Sequence, residues 1–147
     1  MSHMVLKNIS VTGIACAVPV KIEKNRDFIG LVPEDEVIKF IETTGVESKY
    51  LISEKQTTSD LCFVAAEKII KEKNVDRESI DALILITQNP DYIEPATSHV
   101  LHKRLGLKKD CMALDINLGC SGYVYGLYFA AAMLQAGSVK KVLFLAG

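Results

Sequence analysis

Residues 111–137 read CMALDINLGCSGYVYGLYFAAAMLQAG, and this stretch decides the fold. Its first part, Met112–Ile116, is a short apolar run that predicts a buried strand. Residues 117–120 predict a sharp turn, because Gly119 and Gly122 allow the backbone to bend tightly. An apolar, alanine-rich helix is then expected over residues 121–135, with Gly137 ending it. The stretch therefore predicts a strand, a turn and a buried helix.

The rest of the chain alternates between the two kinds of element. Strands are predicted at residues 5–11, 82–86 and 141–146. Helices are predicted from Pro33 to Thr44, from the N-cap Thr58 onward, and over residues 96–105, which Gly106 closes. Residues 19–33 are expected to be irregular. Four residues of the second helix recur at helical spacing and are expected to be buried: Leu61, Val64, Ala65 and Ile69.

This order of elements predicts an α/β fold with a mostly parallel sheet and right-handed crossovers. The helix at 121–135 is apolar nearly all round, so one sheet face cannot bury it. We therefore expect another layer, from a second domain or subunit, and expect this chain to be only part of an enzyme. A membrane span over the same stretch is the alternative, but Asp115, Asn117 and the glycines interrupt its centre.

Composition narrows the class of protein. The 147 residues are 49% hydrophobic, and the formal net charge is -1, which offers no basic field for nucleic acid. Residues 1–4 resemble an expression-tag remnant, so the domain is expected to span 5–147. Nothing at the N-terminus resembles a signal peptide. The four cysteines have no C-x-x-C spacing and predict reduced thiols in the cytoplasm, without a metal site.

Cys120 is the candidate catalytic nucleophile. It follows a predicted parallel strand at the carboxyl end, where such sheets place ligands, and it precedes a helix whose N–H groups favour an anion. The arrangement is the thiol analogue of a nucleophile elbow. The alternative, a small core residue, is preferred for Cys16, Cys62 and Cys111, which lie in apolar patterns without flanking glycines.

A cysteine nucleophile needs a base or an oxyanion partner. His99 and His102 share one helix face and are read either as a base or metal pair, or as polar residues on a solvated face, which we favour. Asp115 is either a residue that orients the strand end or a turn residue, and the sequence does not separate these two roles.

The chain resembles the amino-terminal half of 3-oxoacyl-acyl-carrier-protein synthase III, a condensing enzyme of the thiolase superfamily. The stretches that carry the resemblance keep the family's order and spacing, and they are residues 11–13 with Pro19, 44–46, 83–87, 94–98, 105–106, and 117–122 with Gly137 and Val139. Cys120 matches the family's acyl-accepting cysteine.

The resemblance implies one half of a five-layered α-β-α-β-α structure and a homodimer. It implies that Cys120 takes an acyl group from acyl-coenzyme A, with no permanently bound cofactor. The carbanion from malonyl-acyl-carrier protein then attacks the thioester. The family's His and Asn lie in its second half, so the chain alone is expected to be inactive in condensation.

Four positions depart from the family's pattern. Where many members carry residues that grip coenzyme A, this chain has Lys39, Thr43 and Glu47, and Glu94 stands where an apolar residue commonly precedes the proline. These departures are compatible with another acyl donor or with a specialised pathway. The alternative functions for the chain are a thiolase, a hydroxymethylglutaryl-coenzyme A synthase, a type III polyketide synthase, and a non-catalytic thiolase-like partner subunit.

Overall fold

The computed structural model describes residues 5–147, so the expected tag remnant at residues 1–4 lies outside the described residues. The chain divides into two compact units. The larger unit contains the described residues up to Ala17 together with Thr57–Gly147, and the smaller unit is Val18–Gln56.

The smaller unit contains an antiparallel strand pair and one helix. Strand β1 (Lys21–Lys24) pairs with β2 (Ser48–Leu51), and helix α1 (Glu34–Thr44) lies between them in sequence. The prediction of helix α1 is confirmed, and Gly45 ends the helix with φ of 71°. The expectation that residues 19–33 are irregular is wrong, because β1 and a 3₁₀ turn at Asn25–Phe28 fall there. The sequence did not predict β1 because Lys21–Lys24 (KIEK) is mostly charged and only four residues long.

The larger unit has a parallel three-stranded sheet at its centre. Its strands are β3 (Ala82–Ile86), β4 (Met112–Ile116) and β5 (Val142–Ala146), in the order β4-β3-β5. All three match their predicted positions, and the α/β parallel class is confirmed. Every residue of the central strand β3 is buried, as expected for a strand that is covered on both faces.

Helices cover the two faces of this sheet separately. Helices α2 (Thr58–Glu72) and α3 (Thr97–Arg104) pack on one face, where Leu83 and Leu85 meet Ala66 and Leu101. Helix α4 (Gly122–Gln135) packs on the other face through Ala130, against Ile84 and Ile86. The unit is therefore a three-layer α-β-α arrangement.

Two details of helix α2 differ from the prediction. The N-cap is Thr57 rather than Thr58, and its side chain forms a capping box with Asp60. The buried face is turned by one residue, so that Cys62, Ala66 and Ile70 are buried while Val64 is exposed. A shift of one residue rotates a helix face by about 100°, and the apolar pattern was too broad to resolve this rotation.

The strand predicted at residues 5–11 is absent, since residues 5–20 form no helix or strand in the structure. Within the described residues, β5 pairs with β3 alone. A cavity of about 570 Å³ is lined by β5 residues and by the irregular residues 9–16, among others. The first segment therefore shares this cavity with β5 without forming the ladder that a strand requires.

Helix α4 also has a face that nothing in the described residues covers. We define this outer face of α4 as Val124, Tyr125, Tyr128 and Phe129, all of which are exposed. The helix is thus apolar all round, as predicted, but is buried only on its sheet-facing side. No helix among residues 5–147 is both long and apolar enough to cross a membrane.

Candidate active site around Cys120

The turn between β4 and α4 carries Cys120 at the carboxyl end of the parallel sheet. The N–H of Leu118 donates to the Ile116 carbonyl at 3.1 Å, and the N–H of Gly122 donates to the Gly119 carbonyl at 2.8 Å. These two hydrogen bonds close the turn and place Cys120 immediately before Ser121, the N-cap of α4. Cys120 thus lies in the turn predicted at residues 117–120, and it is exposed.

The start of α4 is suited to hold a negative charge. The side chain of Ser121 makes no capping hydrogen bond, and the first turn contains no acidic residue. First-turn N–H groups and the positive end of the helix dipole attract an anion when no side chain neutralises them. A thiolate or an oxyanion formed beside Cys120 would therefore lie in a favourable field.

Two glycines of α4 bring the helix close to the sheet. A Cβ on Gly122 would lie 2.6 Å from Ile86 Cγ2, and one on Gly126 would lie 2.5 Å from Phe144 Cε2 and 2.7 Å from Ile86 Cδ1. No real Cβ approaches carbon atoms so closely, so both positions require glycine. The start of α4, which directly follows Cys120, is thereby held against Ile86 at the end of β3 and Phe144 in the middle of β5.

A small pocket opens beside this turn, at the carboxyl ends of β3 and β5. It has a volume of about 190 Å³, and its lining residues are Ile86, Gln88, Leu118, Gly119, Tyr123, Ala146 and Gly147. The walls are mainly apolar, and the amide of Gln88 is the exception together with the ring hydroxyl of Tyr123. Gln88 was missed in the sequence, although its place just after a parallel strand was a signal for it.

The two candidate histidines belong to helix α3. His99 is exposed, while His102 is half-buried with Nε2 2.9 Å from the Lys108 carbonyl oxygen. The expectation of a solvated face thus holds for His99 and is wrong for His102, whose ring contacts the backbone. Neither histidine lines the pocket.

Asp115 lies within β4 and binds the start of helix α3. Its two carboxylate oxygens accept hydrogen bonds from the N–H groups of Thr97 and Ser98, both at 2.8 Å. Asp115 is therefore not a turn residue. It caps α3 from the neighbouring strand, an N-terminal position that favours a carboxylate.

The remaining cysteines divide by burial. Cys62 and Cys111 are buried, as predicted, and burial raises the pKa of the Cys62 thiol to about 11. Burial also raises the pKa of Cys111. Cys16 is exposed, so the prediction that it is a core residue is wrong. It belongs to the first segment, which forms no strand and so does not enter the core.

The positions that depart from the family's pattern are all exposed. Lys39, Thr43 and Glu47 belong to the smaller unit, and Glu94 lies in the loop before α3, next to the fully exposed Ile93.

Comparison with known proteins gives one consistent family. The family model for 3-oxoacyl-[acyl-carrier-protein] synthase III matches residues 114–147, which include Cys120. The beta-ketoacyl-[acyl-carrier-protein] synthase III of Xanthomonas euvesicatoria is 35% identical over 143 residues, which make up 97% of this chain and 43% of that protein.

Solved structures agree with the sequence matches. A 3-oxoacyl-(acyl-carrier protein) synthase from Burkholderia xenovorans has a TM-score of 0.83 at 37% identity, covering 89% of this chain and 38% of its own. OleA from Xanthomonas campestris has a TM-score of 0.86 at 26% identity, covering 99% and 44%. The chain thus spans less than half the length of these relatives.

Proposed function

This chain belongs to the family of 3-oxoacyl-[acyl-carrier-protein] synthase III relatives, and on that premise we propose that it carries the acyl-accepting nucleophile of a condensing acyltransferase. The observation that supports the proposal most directly is the position of Cys120, exposed at the uncapped start of α4 and inside the matched segment. A buried structural cysteine, such as Cys62, has none of these features.

In the proposed first step, the Cys120 thiolate attacks the carbonyl carbon of an acyl-coenzyme A thioester. A new sulfur–carbon bond forms, the bond to the coenzyme A sulfur breaks, and the coenzyme A thiolate leaves and takes up a proton. Free N–H groups at the start of α4 are suitable donors to the transient oxyanion, which gains from fixed dipoles. No redox partner is needed.

In the proposed second step, malonyl-acyl-carrier protein loses its carboxylate as CO₂. The carbanion that remains attacks the acyl-Cys120 carbonyl, a carbon–carbon bond forms, and the Cys120 thiolate is expelled. This step needs groups that stabilise an enolate. Neither His99 nor His102 lines the pocket beside Gly119, and we propose that the enolate-stabilising groups lie outside this sequence and that the 147 residues alone do not condense.

We further propose acyl-carrier protein as the partner, acyl-coenzyme A as the donor, a homodimer as the assembly and the cytoplasm as the location. A reducing compartment fits a reaction that consumes a free thiolate, since an oxidised Cys120 would be inert.

The test is acyl transfer to Cys120 in the protein that carries this sequence at its full natural length. Incubation with acetyl-coenzyme A should add one acyl group to the intact mass, and peptide mapping should place it on Cys120. Cys120→Ala should remove the label, whereas the matched control Cys16→Ala should keep it. A labelled Cys120→Ala protein, or an unlabelled wild type, would show that Cys120 is not the acyl acceptor.

A further inference from the structure

Gln88 lies against the turn that presents Cys120. It is the second residue after β3, and a Cβ on Gly119 would lie 2.7 Å from its Oε1 atom. The amide group of Gln88 therefore covers the Cα of Gly119, the residue immediately before the candidate nucleophile. A side chain at position 119 would displace this amide, which is the far end of a flexible side chain.

The amide of Gln88 has hydrogen-bonding capacity to spare. Within residues 5–147 it makes no hydrogen bond to another group, and its residue is exposed. It borders the pocket of about 190 Å³, together with the apolar side chains of Ile86 and Leu118. A primary amide carries two donor hydrogens and one acceptor oxygen. A ligand in this pocket would thus meet the Gln88 amide as a donor beside apolar side chains, and Tyr123 is the other lining residue with a polar side-chain group.

We propose that Gln88 binds the carbonyl group of the molecule that reacts with Cys120, with its side-chain amide donating a hydrogen bond to the carbonyl oxygen. The substrate named here rests on the proposed function, in which that carbonyl belongs to an acyl thioester. The structural alternative is that Gln88 only packs on Gly119 and shapes the turn. That alternative would affect all reagents at Cys120 equally, whereas carbonyl binding favours reagents that contain a carbonyl.

The test compares two small thiol reagents, iodoacetamide, which has a carbonyl, and methyl methanethiosulfonate, which has none. Second-order rate constants at Cys120 are measured by peptide mass spectrometry in a Cys16→Ser background, so that the other exposed thiol is removed. The readout is the ratio of the two rate constants. Taking a ratio cancels most of any change in thiolate content or in access to the turn.

Gln88→Leu keeps the approximate size of the side chain and removes its donors, and we expect the ratio to fall about three- to tenfold in favour of methyl methanethiosulfonate. Gln88→Glu, which keeps an acceptor but lacks donors, should give the same fall. Gly119→Ala should also lower the ratio, because the new methyl group displaces the amide. Gln135→Leu is the matched control at the far end of α4, about 20 Å away, and should leave the ratio unchanged.

An unchanged ratio in Gln88→Leu, with far-UV circular dichroism like the wild type, would overturn carbonyl binding. So would a fall that Gln88→Glu does not reproduce. Failure of the proposed function is a separate outcome: acetyl-coenzyme A would then leave Cys120 unlabelled, whatever the reagent ratio shows.

Discussion

Replacement of Gly126 tests how the turn that carries Cys120 is held against the sheet, because the substitution has two opposite effects on stability. Alanine in a helix interior is favoured over glycine by about 1 kcal/mol. Against this, the new Cβ would lie 2.5 Å from Phe144 Cε2 and 2.7 and 2.9 Å from the Ile86 carbons. Overpacking of a core typically costs about 1–3 kcal/mol, and three contacts this short favour the upper end.

We therefore expect Gly126→Ala to lower the free energy of unfolding by about 2 kcal/mol, the balance of these two effects. Urea denaturation followed by circular dichroism measures this value.

A double-mutant cycle identifies the cause. Phe144→Leu removes the ring atom that clashes, so Gly126→Ala should cost about 1 kcal/mol less in that background than in the wild type. Gly106→Ala is the uncoupled control: position 106 has φ of +59° and open space around it, so its cost is backbone strain, which Phe144→Leu should leave unchanged. A Gly126→Ala protein as stable as the wild type, or costs that add without coupling, would refute the close-approach reasoning.

Three further predictions follow from charge, burial and exposed surface. Asp81 accepts hydrogen bonds from Lys108 Nζ and from backbone N–H groups, which lower its pKa to about 2. Its stabilisation is therefore fully present above about pH 4 and is lost as the pH falls through 2. Urea titrations should show Asp81→Asn costing about 1–2 kcal/mol at pH 7, roughly half of that at pH 3 and much less at pH 2, and an equal cost at pH 7 and pH 2 would contradict this. Burial raises the pKa of Cys62 to about 11, so the free energy of unfolding should fall as pH rises from about 9 to 11. Unfolding curves of Cys62→Ala should lose this dependence on pH. If the dependence persists in Cys62→Ala, another group causes it. The substitutions Val124→Lys and Tyr128→Lys on the outer face of α4 should shift self-association of the chain to higher concentration, as measured by sedimentation velocity. A wild type that stays monomeric at high concentration would show that this face does not drive self-association.

The parts of the fold that the sequence predicted are those in which local pattern and tertiary packing agree. The run Ala82–Ile86 reads as a strand covered on both faces, and it is buried at every position. Gly45 and Gly106 mark helix ends because both adopt positive φ, which glycine tolerates at little cost. In the same way, the glycines around Cys120 marked a turn that the structure contains.

The failures have a common physical origin in partners distant along the chain. Residues 5–11 have the composition of a strand, but a strand exists only where a neighbour accepts its hydrogen bonds. Cys16 is exposed because the first segment, which contains it, forms no strand in the sheet. The charged strand Lys21–Lys24 forms because Ser48–Leu51 pairs with it, and even the nearest register pair, Lys24 with Ser48, is separated by 24 positions in sequence. No local apolar pattern indicates that pairing.

The site divides along the same line. Cys120 could be found because its neighbours in sequence create its surroundings. The position of Gln88 after a parallel strand was visible in the sequence, but its contact with Gly119 was not, because that contact depends on the register of two neighbouring strands. Asp115 likewise took a role that only the packed helix α3 reveals.

The unpaired outer edge of β5 has a consequence for aggregation of the chain while it is folding. Val142–Ala146 is a run of five apolar residues, and its N–H and C=O groups on that side have no ladder partner within residues 5–147. Such an edge is a template for intermolecular cross-β pairing. Lys140 and Lys141 directly precede it and supply charge at one end, the arrangement by which gatekeeper residues slow aggregation. In newly made chains, covering of this edge by another segment competes with intermolecular pairing through it. The balance depends on the protein concentration and on how fast the covering segment binds.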